Sequence, residues 1–241
     1  MTRVELEWTA ADLAPVVEAW QRFAPDAPDD VTVGLTLAAE PGRPVRATIS
    51  GAAALDGPTT RAGLDAFLAH VPPPDTAPQV QPSLPYHRLK TTFTDPRDAA
   101  GPVRIRSEFF DRTLSAGTLD ELLGRLDDAD SSTPRRLTFT AMGGAYDHVA
   151  ADATAFAHRG QRFLLEHVGA ADDPWVDRSW STTAADGSGH VYANFPDPDL
   201  DDALTAYHGA NLPRLVAIKS AYDPHRFFDF PQAIPSTERQ S

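Results

Sequence analysis

Residues 31–38, VTVGLTLA, and 44–51, PVRATISG, decide how this chain begins to fold. In the first run Val31, Val33, Leu35 and Leu37 alternate with Thr and Gly. In the second, Val45, Ala47 and Ile49 alternate with polar residues. A period of two puts one set of side chains on one face of a half-buried strand. A PGRP turn joins the runs, so the pair reads as an antiparallel hairpin. Its apolar face needs a cover.

The cover is legible just upstream. Leu13, Val16, Val17, Trp20 and Phe23 recur at helical spacing and make one apolar stripe. Thr9, with Asp12 three residues on, is the expected cap, and APDAPDD ends the helix. Downstream, a second helix is expected over 59–70, with Leu64, Phe67 and Leu68 on one face. VPPPDTAPQVQPSLPY (71–86) reads as an extended loop. VRIRSEFF (103–110), RRLTFTAMGG (135–144), RFLLEHVG (162–169) and HVYANF (190–195) read as strands. TLDELLGRLDDA (118–129) reads as a helix opened by a Thr118–Glu121 capping box, with a stripe of Leu119, Leu122, Leu123 and Leu126. Two helical stretches close the chain, DLDDALTAYHG (199–209) and NLPRLVAIKSAY (211–222), the latter started by Asn211 and Pro213. Strands in runs with helices between them give an α+β class, an antiparallel sheet flanked by helices. The composition does not change across the proline-rich loop, so 1–241 is expected to be one unit.

Several function classes drop out. A net charge of -13 leaves no basic face for nucleic acid or an anionic membrane. No stretch approaches 18 consecutive apolar residues, so no membrane span is expected, and MTRVELEW has no apolar leader core. The absence of Cys excludes disulfides, thiolate metal sites and a Cys nucleophile. A cytoplasmic location is expected. There is no P-loop, no Gly-x-Gly-x-x-Gly after a strand, no His-Glu-x-x-His and no Gly-x-Ser-x-Gly elbow. His148 and His158, with Asp147 or Asp152, are the one pairing with metal-like spacing. Isolated His residues are more often ordinary surface or core groups, and no metal is expected.

Polar aromatics remain. On a strand, Tyr192 and Asn194 share a face and Phe195 points the other way. A Tyr–Asn pair there either hydrogen-bonds a polar ligand or flavin edge, or packs with its hydroxyl satisfied.

HVYANFPDPDL followed by AYHGANLPRLVAIKSAYDPHRFFDFPQAIP resembles the C-terminal end of the berberine-bridge-enzyme-like FAD-linked oxidoreductases, of the vanillyl-alcohol-oxidase type. The matching residues are Tyr192, Asn194, Phe195, Asp197, Tyr207, Gly209, Asn211, Arg214, Leu215, Lys219, Tyr222, Asp223, Pro224, Phe228, Gln232 and Ile234. DATAFAHRGQRFLLE resembles the family's Thr-Ala-Phe-Pro-His-Arg segment, with Ala157 in place of Pro. EAWQRFAPDAPDDVTVGLTL resembles the start of its substrate-binding domain.

The resemblance implies a substrate-binding domain plus a helical C-terminal tail, 199–241, which in the family packs on an FAD-binding domain. The glycine-rich pyrophosphate loops of that FAD domain have no counterpart here. No cofactor is therefore expected within this chain, and FAD only if a partner supplies the missing domain. Phe195 stands where many family oxidases carry a Tyr base, and Ala233 where Asn is common. These departures point to a flavin-independent step on a polycyclic or polyketide-like small molecule in bacterial secondary metabolism: cyclisation, isomerisation or dehydration. The alternatives are the substrate-binding half of a split FAD-dependent oxidoreductase, or a non-catalytic binding protein. Expected catalytic residues are Tyr192, His158 and Tyr146. Expected substrate contacts are Asn194, Phe195 and Arg159, the last on an anionic or enolate oxygen. For His158 and Arg159 the competing reading is a structural pair at a strand start. The tail's apolar side needs a partner: the chain's own sheet, a second copy in a homodimer, or a separate FAD-domain protein.

Overall fold

Seven strands make one antiparallel sheet in a computed structural model that describes residues 1–9, 12–54, 58–92, 101–128 and 131–237. They are β1 (Thr2–Trp8), β2 (Val31–Ala39), β3 (Arg46–Ala53), β4 (Gln79–Gln81), β5 (Val103–Phe110), β6 (Arg135–Ala141) and β7 (Phe163–Ala170). Their order is β4-β1-β3-β2-β6-β7-β5. Among the described residues the helices are α1 (Ala14–Phe23), α2 (Pro58–Leu68), α3 (Tyr86–Thr92), α4 (Ala116–Leu126), α5 (Trp175–Thr183), α6 (Ala203–His208) and α7 (Leu212–Tyr222).

The hairpin forms as expected, with Leu35 opposite Ile49 and Leu37 opposite Ala47. One face of the sheet carries the core: Leu6, Trp8, Leu35, Leu37, Ile49, Leu137, Phe139, Phe163 and Leu165. Val16, Val17 and Trp20 of α1 cover it, with Leu119, Leu122 and Leu126 of α4 and Trp175 and Val176 of α5. Burying each such side chain contributes about 1.5–3 kcal/mol. Trp20 meets Phe139 and Phe163 edge-on at 5.7 and 6.0 Å between centroids. Its indole N–H donates to the Val33 carbonyl at 3.1 Å, so a buried donor is satisfied.

The structure corrects the sequence reading in several places. β1 was not expected, although Thr2, Val4, Leu6 and Trp8 are buried while Arg3, Glu5 and Glu7 are less so. Thr9 does not cap α1: its hydroxyl donates to Asp75. Asp12 instead accepts from Ala14 N at 3.0 Å. Helix α4 is capped by Ser115, which accepts from Thr118 N at 3.1 Å, so Thr118 lies inside the helix. The last residue of the expected helix, 129, lies outside the described residues. The proline-rich loop contributes the short β4 and runs into α3. Trp8 ties it down by donating to the Pro72 carbonyl at 2.9 Å. Helix α5 also went unread. Its signal is present: Asp173 accepts from Trp175 N at 2.9 Å, Pro174 precedes the first turn, and Trp175, Val176, Ser179 and Thr183 are buried.

HVYANF is not a strand. Ser188 N donates to the Phe109 carbonyl at 2.9 Å and Phe109 N to the His190 carbonyl at 2.8 Å, so this run lies on the outer edge of β5. It then turns, with Phe195 N donating to the Tyr192 carbonyl at 2.9 Å. Asn194 suits such a turn, and Pro196 removes the donor a continuing strand would need.

Candidate functional site

The sheet face opposite the core is polar along its central row, while over β7 and β5 it also carries Ile105, Phe109, Leu164 and Val168. One register row runs across six strands: Glu7, Thr48, Thr36, Thr138, Glu166 and Ser107. The three central threonines and Glu166 are half-buried. A sheet covered on one side alternates apolar and polar residues in this way. At the β5 end of the row, the Ser107 hydroxyl accepts from Tyr192 N at 3.2 Å. The row thus leads to the start of the motif that opens the family resemblance.

Around Tyr192 lies an aromatic cluster. Phe109 of β5 packs against His158 at 4.8 Å, Phe156 at 5.9 Å and Tyr192 at 6.2 Å between centroids. Phe156 meets Tyr192 at 6.0 Å and Tyr146 at 5.6 Å. The cluster therefore brings together Tyr146, His158, Arg159, Tyr192, Asn194 and Phe195 from three separate chain segments. The turn changes their relation. Asn194 Nδ2 donates to the Tyr192 hydroxyl at 2.8 Å, and Phe195 packs edge-on against the Tyr192 ring at 5.5 Å. Both neighbours touch Tyr192, where a strand would have put Phe195 on the far side. With its oxygen accepting from Asn194, the Tyr192 O–H stays free to donate.

The other expected residues are more committed. Nε2 of His158 lies 2.8 Å from the Tyr207 carbonyl, which only accepts, so the imidazole carries its proton on Nε2. Burial, with His190 and His208 nearby, pushes its pKa down to about 4. His158 is a neutral tie between its loop and α6. Arg159 donates to the Tyr146 carbonyl at 2.7 Å and to Thr154 Oγ1 at 3.2 Å. Its guanidinium lies over the Tyr146 and Phe156 rings at 4.7 and 5.1 Å. These contacts staple the loop between β6 and β7. The Tyr146 hydroxyl is buried without a partner, and burial pushes its pKa up to about 12, so it keeps its proton. His148, exposed, sits 3.7 Å from Asp29 and away from the buried His158. Among the described residues no group of three or more His, Asp or Glu is arranged to hold a metal.

Residues that sequence reasoning left aside hold the cluster in place. Arg106 Nε donates to Asp197 Oδ2 at 2.7 Å and Nη1 lies 3.1 Å from Asp177, with the guanidinium 3.8 Å over the Trp180 ring. Arg104 joins Asp177 at 2.8 Å and Asp199 at 2.5 Å. Tyr207, buried, accepts from Asp197 N at 2.8 Å. Asn211 donates to the Ala151 and Thr154 carbonyls at 2.7 and 3.1 Å. Lys219 pairs with Asp223, whose carboxylate caps Phe227 N and Phe228 N at 2.6 and 3.1 Å. Asp197, Tyr207, Asn211, Lys219 and Asp223 of the resemblance are thus structural. Alternating Arg104 and Arg106 in a strand that otherwise buries apolar residues was the available signal.

A berberine and berberine-like family model matches residues 191–235. The uncharacterised FAD-linked oxidoreductase YgaK of Bacillus subtilis is 26% identical over 245 residues, covering 97% of this chain and 52% of that protein. The chain is similar to berberine-bridge-enzyme-like FAD-linked oxidoreductases along nearly its whole length. FAD-linked oxidoreductase sorD of Penicillium rubens is 36% identical over 113 residues, 41% of this chain and 24% of its own length. In fold, the chain matches the berberine bridge enzyme of Eschscholzia californica with a TM-score of 0.79 and 18% identity, over 100% of this chain and 56% of that one. It matches Physcomitrella patens BBE-like 1 with a TM-score of 0.78 and 20% identity, over 99% and 54%. The chain spans about half the length of YgaK and less of the other curated relatives cited. The α+β antiparallel fold agrees with these neighbours.

The glycine pair after β6 does not offer a diphosphate cradle for the flavin named in the relatives. Gly143 and Gly144 follow β6, where a diphosphate loop would need open space. A Cβ on Gly143 would lie 1.8 Å from the Pro25 carbonyl oxygen, and one on Gly144 would lie 3.6 Å from the Asp29 carboxylate. A carbonyl and a carboxylate repel an anion. Gly160, Gly189 and Gly209 take positive φ singly, at separate turns.

Proposed function

We propose that this chain is the substrate-binding portion of an FAD-linked oxidoreductase site, with the flavin held by a separate unit. The reading rests on one observation. The polar row of the open sheet face ends at a tyrosine whose hydroxyl accepts from Asn194 and keeps its own proton to donate. A flat, hydroxylated, polycyclic small molecule suits such a surface, with hydroxyl and carboxylate partners along the row and aromatic rings at one end. Tyr192 would donate to a substrate oxygen. Phe195 and Phe156 would bound the ring system. His158, Arg159 and Tyr146 would set the shape of the wall. The names of the relatives supply the reaction class.

A redox-neutral step without flavin, such as cyclisation, isomerisation or dehydration, is the second reading. It is favoured by the Tyr192 O–H, free to donate, and by Phe195 in the place where the family resemblance implies a tyrosine base.

The test is binding and turnover by the purified chain. Added FAD should not be retained, read from absorbance near 450 nm (about) after desalting. Hydroxylated polycyclic ligands should bind, and Tyr192→Phe should weaken them about fivefold to tenfold, the worth of one hydrogen bond. Unchanged affinity in Tyr192→Phe would remove the residue from the site. Conversion of a ligand by the flavin-free chain would favour the second reading over the first.

A further inference from the structure

A buried carboxyl lies outside the residues discussed so far. Glu108 of β5 is only 2% exposed and sits on the core side of the sheet. One carboxyl oxygen accepts from Gly189 N at 3.2 Å, and the other, Oε2, has no hydrogen-bond partner. The turn against it is built for the contact. A Cβ on Gly187 would lie 1.9 Å from Glu108 Oε1, so the turn passes directly against the carboxyl, and a side chain there would have to displace it. Gly187 N in turn donates to the Thr183 carbonyl at the end of α5, at 3.2 Å. Directly beyond this turn, residues 188–192 pair with the edge of β5 and deliver Tyr192 to the cluster.

We propose that Glu108 is the positioning residue of the Tyr192 site, a buried carboxyl that latches the Gly187–Gly189 turn to β5 and loosens it when the carboxyl ionises. Ionisation leaves Oε2 as a buried, unpartnered anionic oxygen, and opening the turn is the direct way to hydrate it. The charged and titratable groups around Glu108 do not relieve it. Arg106, on the same strand face, is engaged with Asp177 and Asp197. His167, across the ladder from Arg106 on β7, is bonded to Ser179 at 2.8 Å. Asp186, just before the turn, accepts from Ser115 N at 3.0 Å. His190, just after it, has a buried Nδ1 without a partner. Burial raises the Glu108 pKa from 4.5 to about 7, against opposing pulls from Gly189 N–H and Arg106. The proposal rests on the Tyr192 cluster being the substrate site, but the latch itself is testable without any ligand.

Amide hydrogen exchange of the peptide covering 186–195, corrected for intrinsic rates, is the measurement. A group at about 7 when latched and at 4.5 when released shifts the opening equilibrium about tenfold between pH of about 6 and about 8.5. Wild type should therefore lose about tenfold in protection over that range. Glu108→Gln keeps an acceptor for Gly189 N–H and cannot ionise, so its protection should stay flat. Glu108→Ala should be unprotected at both pH values. If Glu108→Ala does not fold, the wild-type and Glu108→Gln profiles decide alone. Equal pH dependence in those two proteins, or full protection in folded Glu108→Ala, overturns the latch. Failure to bind any polycyclic ligand, with the exchange pattern as expected, would count against the substrate-site reading and leave the latch standing.

Discussion

The core face of the sheet has two unlike halves. Over β1, β3 and β2 it is hydrocarbon: Leu6, Trp8, Leu35, Leu37 and Ile49 under α1. Over β7 and β5 the same face buries Arg106, Glu108 and His167 under α5. The first half needs only correct alternation and volume, and many sequences satisfy it. The second needs each polar group matched, and its partners come from 173–199, the segment that leads into Tyr192 and out of it. Charge is buried where the chain holds the Tyr192 segment against an edge strand.

Substitutions can break that contrast. The largest loss is expected in the hydrocarbon half. Trp20→Ala should cost about 3–5 kcal/mol in chemical denaturation, since a fully buried indole and its bond to Val33 are both removed. On the polar side, Arg106→Ala should cost about 3 kcal/mol by leaving the buried Asp197 with only the longer ion pair to Arg104 at 3.8 Å. Arg106→Met combined with Asp197→Leu should recover much of that loss. Exchange in 191–199 should still rise in the double variant, because packing would be repaired and placement would not. Recovery of both would show that the ion pair adds nothing to placement.

The histidines set a pH dependence of known sign. Burial holds His167 at about 3 and His158 at about 4, both below the ordinary 6.5. At these two sites the unfolded chain then binds more protons, so the histidines' contribution to stability is complete above pH 6.5 and is lost as pH falls through 4, opposite in sign to that of Glu108. The slope is about 1.4 kcal/mol per pH unit per histidine. Melting temperature against pH should show it, with a shallower slope in His167→Gln. An unchanged slope in that variant would place the acid sensitivity elsewhere. Tyr192→Phe should change stability by less than about 1 kcal/mol, because only the partly exposed bond to Asn194 is lost. Arg125→Ala removes an exposed helical pair with Glu121 and should stay within about 0.5 kcal/mol of wild type.

What the sequence made legible follows the same division. Period and stripe found the β2–β3 hairpin, β5, β6, β7, α1 and α4, because apolar burial leaves a repeating mark. The same alternation is written in Thr2, Val4, Leu6 and Trp8, yet it was read only for the absence of a leader. Helix α5 was hidden by Arg178, Ser179 and Ser181, polar residues whose partners lie far off in sequence. The candidate residues were found as a set, but their roles came from geometry. No pattern in the chain reveals that His158 gives its Nε2 proton to a carbonyl from Tyr207, or that 192–195 turns back on itself.

The run 188–192 has one more consequence. β5 is the last strand of the sheet, and an uncovered edge strand offers its free backbone groups to any other chain in solution. VRIRSEFF ends in apolar residues and has no proline, so it would be an efficient template for intermolecular pairing. The segment that carries Tyr192 takes up the Phe109 end of that edge. A variant that frees it should be recognised first by turbidity on standing, before any change in binding is measured.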